Sequence, residues 1–387
     1  MTNETTARLE AFEPIGDTGV LVRRMLALAL RGLAAAYDPK TGSFAQTVRG
    51  VTGPDGVQIR AEGRNLRYTA IAALGLSKLP IDVQRDVLHD RTAAEIASIA
   101  SENAVDEKDP GAIALAAWAD AEINDVFPDK LFMQLRTMLK DGRPLPTVDT
   151  AWMATAAVAA AELGNTDTVL DEALALLLRY QGGRGIFPHH LPPNEQPRWR
   201  AHVGSFADQA YPIQALARAA VLKSDGSLLA AANRTAARIC ELQGDHGQWW
   251  WHYDSRDGSV VEGFPVYSVH QHATAPMVLF DLLEAGGDDR VDEIALGVRW
   301  LETHPEAVEE LISDRWGLIW RKIGRHEPPK AARALGAVST AVRAGAQLPG
   351  LDRALPPGKV DHECRPYELG WLLYAWDSQL APDRRQF

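Results

Sequence analysis

Six stretches of this chain open on polar or charged residues and then stay apolar on every side of a helix. They begin at Arg64-Asn65-Leu66-Arg67-Tyr68, Asp109-Pro110, Asp149-Thr150-Ala151-Trp152, Asp208-Gln209-Ala210-Tyr211, Tyr267-Ser268-Val269-His270-Gln271-His272 and Glu363-Cys364-Arg365-Pro366-Tyr367-Glu368. A helix without a polar face has to be enclosed by other helices. Between these stretches lie helical segments that carry Arg, Glu and Asp along one side only. Alternation of the two kinds predicts an inner ring of enclosed helices inside an outer ring of amphipathic ones.

The helical period recurs over roughly 18–37, 65–78, 83–102, 110–124, 127–140, 149–163, 166–181, 207–222, 227–243, 268–285, 289–303, 329–346 and 366–379. Strand signals are short and sit beside glycine, at Trp249–Tyr253, Ser259–Val261 and Leu318–Ile323. No serine-rich or charged linker divides the chain, so residues 1–387 read as one all-α domain. With 46% hydrophobic residues it has ample material for a large core, and its net charge of −11 disfavours nucleic acid and anionic lipid as partners. The first residues, MTNETTARLEAFEP, lack an apolar run, and no segment is long and clean enough to span a membrane, so the expected location is cytoplasmic.

A repeat supports the two rings. Gln181-Gly-Gly-Arg-Gly-Ile-Phe187 and Gln243-Gly-Asp-His-Gly-Gln-Trp249 share the pattern Gln-x-x-x-Gly-x-aromatic, each after an amphipathic helix, with weaker echoes at Thr41-Gly-Ser-Phe44 and Arg315-Trp-Gly-Leu-Ile-Trp320. The glutamine amide can tie off unpaired groups at a helix end, the glycine permits a turn with positive φ, and the aromatic ring covers the junction. The pattern resembles the QW-type repeat of terpenoid-cyclase and protein-prenyltransferase toroids. More broadly the chain resembles the α/α toroids that include six-hairpin glycosidases, sugar epimerases and lanthionine cyclases. That resemblance implies a single (α/α)6 barrel with short β-hairpin insertions at its mouth.

In such a barrel the six inner-helix starts converge on one face, where function is expected. Asp109 before Pro110 reads as a helix cap, while Asp149 and Asp208 serve equally well as caps or as catalytic carboxylates. Arg64 and Arg67 share one side of a helix and form a candidate anion clamp, with Tyr68 beside them. His270 or His272 is a candidate proton carrier, but the two lack metal-ligand spacing. The segment HYDSRDGSVVEGFPVY reads as a hairpin turning at Asp257-Gly258, delivering Trp251, Tyr253, Glu262 and Tyr267 toward the mouth. The proline-rich loop 186–202, with His189, His190, Arg198, Trp199, Arg200 and His202, is expected to wall the pocket. Strict alternation along Trp249–Tyr253 would put Trp249, Trp251 and Tyr253 on one side and Trp250 and His252 on the other. Cys240 and Cys364 have no spacing for a metal site or a disulfide framework, and neither a metal nor a cofactor is expected.

Two chemistries compete for this mouth. A carbohydrate-active enzyme needs aromatic plates against sugar faces, carboxylates, histidines or tyrosines to move protons, and arginines for anionic substituents. The catalytic candidates are Asp149, Asp208, His270, His272, Glu262 and Tyr267. The substrate-binding candidates are Arg64, Arg67, Tyr68, Trp152, Tyr211, Trp250, Trp251, Tyr253, Tyr367 and Glu368. The preferred reading is cleavage of a glycosidic bond in an acidic, uronate-containing saccharide, with Asp208 and Asp149 as acid and base and His270 in support. Epimerisation or elimination of a sugar acid, and a non-catalytic glycan-binding toroid, are the neighbouring alternatives. A terpenoid-cyclase-like enzyme binding a prenyl diphosphate is the competing class. Its acidic motif resembles Thr147-Val-Asp-Thr-Ala-Trp152, except that Val148 stands where the protonating acid belongs.

Overall fold

The computed structural model describes residues 7–12, 16–53 and 56–376. Most of the N-terminal peptide and the end of the last predicted helix, 377–379, lie outside the described residues. Twelve of the described helices alternate in chain order between an outer and an inner layer. The outer ones are α1 (Thr18–Ala36), α3 (Ala93–Ala104), α5 (Asp129–Lys140), α7 (Asp167–Tyr180), α9 (Gly226–Glu241) and α11 (Val291–Thr303). The inner ones are α2 (Leu66–Leu76), α4 (Pro110–Asn124), α6 (Thr147–Ala159), α8 (Ala207–Lys223), α10 (Ala275–Glu284) and α12 (Pro366–Trp376). A π-helical turn, His270–Thr274, leads into α10.

Each inner helix packs on the next, and α12 packs back on α2, which closes a ring of six. Every residue from Gly111 to Ala121 of α4 is buried, as an apolar run interrupted only by Asp120 requires. By contrast α5 buries only Leu131, Phe132, Leu135 and Leu139, one stripe at helical spacing. Each such side chain contributes about 1.5–3 kcal/mol when fully removed from water. The predicted inner and outer rings are both present.

Local chemistry sets the helix boundaries. Asn65 accepts from the Tyr68 amide and Asp109 from the Gly111 amide, so both side chains cap inner helices. The expected single helix over 83–102 is two, Ile81–Leu88 and α3, separated by His89 and Asp90 in left-handed conformation. Thr92 and Glu95 form a reciprocal capping box that restarts the chain as α3. The predicted hairpin around Asp257-Gly258 pairs His252–Asp254 with Val260–Glu262, and Val203–Ser205 adds a third strand. A longer hairpin, Thr47–Gly53 with Gly56–Glu62, was not predicted, and Glu363–Cys364 extends it just before α12. Among the described residues no helix is long and apolar enough to cross a membrane.

The glutamine repeat is a clasp between neighbouring outer helices. Gln181, at the end of α7, donates to the Ala231 carbonyl of α9 at 2.8 Å; Gln243, at the end of α9, donates to the Glu293 carbonyl of α11 at 3.0 Å. The amide N–H of Phe187 donates to Gln209 of α8, and that of Trp249 to Gln271 of the π turn. Every member of the second set lies 62 positions after its counterpart, from Gln181 and Gln243 through to Gln209 and Gln271. Gly247, at φ +101°, sits so close to α11 that a Cβ would stand 2.2 Å from the Leu296 carbonyl. Gly185 abuts Arg234 of α9 in the same way.

Gln243→Ala is therefore expected to cost about 1–3 kcal/mol in denaturant unfolding, having lost two bonds to backbone carbonyls. Gly247→Ala should cost more, because it adds both a clash and an unfavourable φ. Wild-type stability in both variants would contradict the clasp.

Candidate active site

Three rungs of the mouth are built alike. The carbonyls of His189, Trp251 and Arg321 accept from the backbone amides of Thr147, Phe206 and Ser268, each at or just before the start of one inner segment. The side chains of the same three residues meet the start of the following inner helix. His189 Nδ1 lies 2.9 Å from Asp208 Oδ2, the Trp251 ring lies parallel to His270 at 5.8 Å, and Arg321 Nε lies 3.3 Å from Glu368 Oε1. The first two rungs obey the 62-position repeat, since His189 and Asp208 correspond to Trp251 and His270.

In the first rung Asp208 is fully buried, and its Oδ2 accepts from the Ser205 amide and hydroxyl as well as from His189. The Asp208 amide donates back to Ser205 Oγ, a reciprocal pair like a capping box in which Ser205 accepts at the helix start and Asp208, already inside α8, is not the cap. Its Oδ1 is buried without a partner. The charge of Asp208 raises the His189 pKa above its ordinary value. With Nδ1–H donated to Asp208, His189 has Nε2 free, and the side chain remains 39% exposed.

Beside this rung, Arg67 donates to both oxygens of Asp149, at 2.8 and 3.0 Å, and to both oxygens of Asp109. The guanidinium lies 5.3 Å from the Trp152 ring, whose edge meets Tyr211 at 4.8 Å. Asp149 is only 2% exposed, and burial raises its pKa despite Arg67. The field of Asp149 also reaches His189. Asp109 is thus both the predicted cap and, with Asp149, a carboxylate partner of Arg67.

The third rung is a second polar cluster. Burial raises the Glu368 carboxyl to about 7, against the opposing charges of Arg321 and Arg365 and with Glu363 adding to the rise. Arg365 donates to the Tyr68 hydroxyl at 2.8 Å and to Glu363 at 2.8 Å, and the Tyr68 and Tyr367 rings are 4.7 Å apart. Tyr267 lies between Trp251, at 4.5 Å, and the Arg321 guanidinium, at 5.0 Å. Of the expected residues, Asp149, Asp208, His270, Tyr267, Arg67, Tyr68, Trp152, Tyr211, Trp251, Tyr367 and Glu368 belong to these connected clusters.

Five others do not. Arg64 precedes the Asn65 cap, so it lies outside α2, exposed and 3.8 Å from Asp38, and forms no clamp with Arg67. His272 is fully buried with both ring nitrogens unpartnered, and burial holds it neutral at about 3, as befits a core residue. Glu262 pairs with Arg325 at 2.9 Å and receives the Phe264 amide, which turns it to a separate groove of about 600 Å³ that Trp250 also lines. Tyr253 is fully buried. The expected alternation along Trp249–Tyr253 fails because the strand begins only at His252 and a register shift separates His252 from Tyr253. Trp251 and His252 consequently lie ring against ring, 5.2 Å apart.

His270 is in place, but its surroundings disfavour the charged ring. Enclosed by Phe206, Trp251 and Tyr267, it is held at about 3 by burial, with Arg321 and His272 adding to the effect. It serves as one more aromatic plate near neutral pH. The residues that sequence reasoning missed as site members are His189, named only as part of a wall, together with Asp109, Arg321, Glu363 and Arg365.

Closed ring, alternating layers and one polar mouth define the chain as an (α/α)6 toroid. No family model matches the sequence, and no curated protein is similar to it. The fold itself is shared with solved structures of unsaturated glucuronyl hydrolases. One, specific for heparin, is 12% identical, with 93% of this chain and 96% of that chain covered at a TM-score of 0.57. Another, from Bacillus sp. GL1, is 13% identical, with 92% and 96% covered at 0.53. The Lin0763 protein from Listeria innocua is 13% identical, with 91% and 95% covered at 0.54.

The raised Glu368 pKa carries a stability consequence. Because the folded state holds this proton more tightly, its contribution is fully present below the ordinary value of 4.5 and is lost as pH rises through about 7. Glu368→Gln should remove that dependence, gaining on the order of 2–3 kcal/mol on wild type between pH 5 and pH 8 in paired denaturant titrations. Parallel stability curves would contradict a buried, protonated Glu368.

Proposed function

We propose that this toroid is a carbohydrate-active enzyme that cleaves a glycosidic bond in a uronate-containing saccharide. The observation that carries the reading is the pairing of two buried carboxylates in one mouth, Asp149 held by Arg67 and Asp208 coupled to His189. Trp152, Tyr211, Trp251, Tyr267 and His270 supply apolar plates of the kind a sugar face packs against. The toroid neighbours support the reading through their own activities. One is described as specific for heparin, and the Bacillus sp. GL1 enzyme as responsible for the degradation of glycosaminoglycan.

Protonated His189, stabilised through Nδ1 by Asp208, gives its Nε2 proton to the leaving glycosidic oxygen. Asp149 takes a proton from the attacking water, whose oxygen bonds to the sugar carbon as the old carbon–oxygen bond breaks. Asp208 thus acts on the acid side through His189 and Asp149 acts as base. Arg67 orients Asp149, and the Ser205 amide and hydroxyl orient Asp208. The substrate is an oligosaccharide or smaller glycoside, and the reading includes a cytoplasmic location, consistent with two buried free cysteines.

The pH profile follows from the two shifts. Activity should rise as Asp149 ionises, above the ordinary carboxylate value of 3.8, and fall as His189 loses its proton, above 6.5. Asp208→Asn should lower kcat on the order of 10²- to 10⁴-fold while leaving saccharide binding measurable, and should move the upper limb to lower pH. Unchanged turnover, or stabilisation in a thermal-shift screen by prenyl diphosphates and by no saccharide, would overturn the assignment.

A further inference from the structure

The groove that Glu262 and Trp250 line lies between the strand Val260–Glu262, the helix Ala331–Val342 and the segment 346–352. Its volume is about 600 Å³, a size common among small-molecule sites, and none of Asp149, Asp208 and His189 lines it. Glu262 is 3% exposed, and its Oε1 takes every donor that reaches the carboxylate: the Phe264 amide at 2.9 Å, Arg325 Nε at 3.0 Å and Arg325 Nη2 at 2.9 Å. Oε2 has no hydrogen bond among the described residues, yet it is not sealed from the groove. Burial raises this carboxyl above its ordinary value in spite of Arg325. A purely structural arginine–carboxylate pair gains most from a two-pronged contact with both oxygens, and this one leaves an oxygen unused. Arg325 is otherwise engaged, by Asp352 at 2.8 Å, by the Leu355 carbonyl at 2.8 Å and by the Phe264 ring at 4.8 Å. Trp250 forms the aromatic wall. Its ring lies 6.0 Å from that of Phe264, and Gly244 and Gly263 crowd it so closely that a Cβ on either would stand 2.6 or 2.7 Å from the indole.

We propose that this groove is a second, non-catalytic site that binds an uncharged sugar ring, its apolar face on Trp250 and its hydroxyls on Glu262 Oε2. The proposal goes beyond the glycosidase reading and does not depend on it. Charge decides the class of ligand. An anion entering the groove would meet Glu262 and Asp352, while the guanidinium between them is already paired with both. An ammonium would find the charge of Glu262 compensated by Arg325, and so would gain little against its own desolvation. A hydroxyl costs far less than either ion to remove from water, and it donates directly to the free oxygen. Sugar rings carry hydroxyls at the edge and C–H groups on the faces, which match a carboxylate set beside an aromatic plate. The walls are fixed by the fold. A Cβ on Gly336 would stand 2.8 Å from the Val261 carbonyl, so the helix that carries Ser339 is seated directly on the strand that carries Glu262.

The probes are the methyl glycosides of glucose, galactose and N-acetylglucosamine, with glucuronic acid and glucosamine as charged counterparts. They are titrated calorimetrically into wild type, Glu262→Gln, Trp250→Ala and Ser339→Trp, each first checked for wild-type melting behaviour. Glu262→Gln keeps an acceptor for Arg325 and replaces the free oxygen by a donor, whereas Ser339→Trp fills the groove without touching the carboxylate. At least one neutral glycoside should bind wild type, and its affinity should fall about 10-fold or more in every variant. Turnover of an intact uronate-containing oligosaccharide, read in parallel, should be unchanged in all three. Neutral binding that survives in all three variants, or that wild type lacks, would overturn the groove site and leave the glycosidase reading intact. Tighter binding of glucosamine or glucuronic acid, lost in the same variants, would overturn the uncharged class. Turnover that falls with groove binding would overturn the separation of the two sites. Neutral binding lost in the variants of a protein that turns over no oligosaccharide would support the groove and remove the glycosidase reading.

Discussion

The ring closes where its first and last inner helices meet backbone to backbone. A Cβ on Gly75 of α2 would stand 2.2 Å from the Gly370 carbonyl of α12, and one on Gly370 would stand 2.9 Å from the Ile71 carbonyl. Only residues without side chains permit that approach. Closure joins segments from opposite ends of the chain, bringing Arg365 and Tyr367 of one against Tyr68 of the other. Without it, neither the enclosed apolar faces of the inner helices nor a single convergent mouth would exist.

Inside that frame charge is sorted by depth and side. At the far end of the barrel, Lys78, Glu122, Arg218, Asp281 and Arg8 form a network in which each ion has an opposite partner, and nearby cations hold Glu122 and Asp281 at about 2 against burial. Such compensation keeps a buried polar layer tolerable. The mouth is less complete. Asp208 Oδ1 lacks a partner, while Glu368 is poised near neutrality. An unpartnered carboxylate oxygen beside a carboxyl that titrates near neutrality is the kind of group a polar ligand uses.

The six inner-helix starts were legible because a helix apolar all round leaves no choice but enclosure, and each start announces itself with a polar residue. The clasp was legible because glutamine, glycine and an aromatic ring recur in fixed order. Other features depend on partners that sequence order hides. His189 becomes part of a rung only when its loop pairs Leu145–Pro146 with His190–Leu191 and its carbonyl meets Thr147. Arg321 and Arg325 come from a region whose weak strand and helix signals do not reveal which way it folds. The hairpin of Thr47–Gly53 and Gly56–Glu62 did carry a strand signal, the alternation Val57-Gln58-Ile59-Arg60-Ala61-Glu62, which the dominant helical periodicity overshadowed. The tryptophan run misled for the opposite reason. Its alternation was plain, but the strand begins only at His252 and carries a register shift between His252 and Tyr253, so the regular pleat does not extend over the run.

The 62-position repeat explains how one scaffold holds unlike chemistry in adjacent rungs. The glutamine bonds that fix the backbone, Gln209 to Phe187 and Gln271 to Trp249, are preserved between the two units, so the side chains one position earlier on each inner helix arrive in equivalent places. In one unit that place holds Asp208, which faces His189 and forms an ionisable pair; in the next it holds His270, which faces Trp251 and forms a neutral aromatic stack. The difference comes from two substitutions at fixed positions rather than from a change of frame. In a toroid of this kind, geometry is set by the clasp and chemistry by the residues the clasp leaves free, so exchanging a rung's pair alters proton transfer without disturbing closure of the ring.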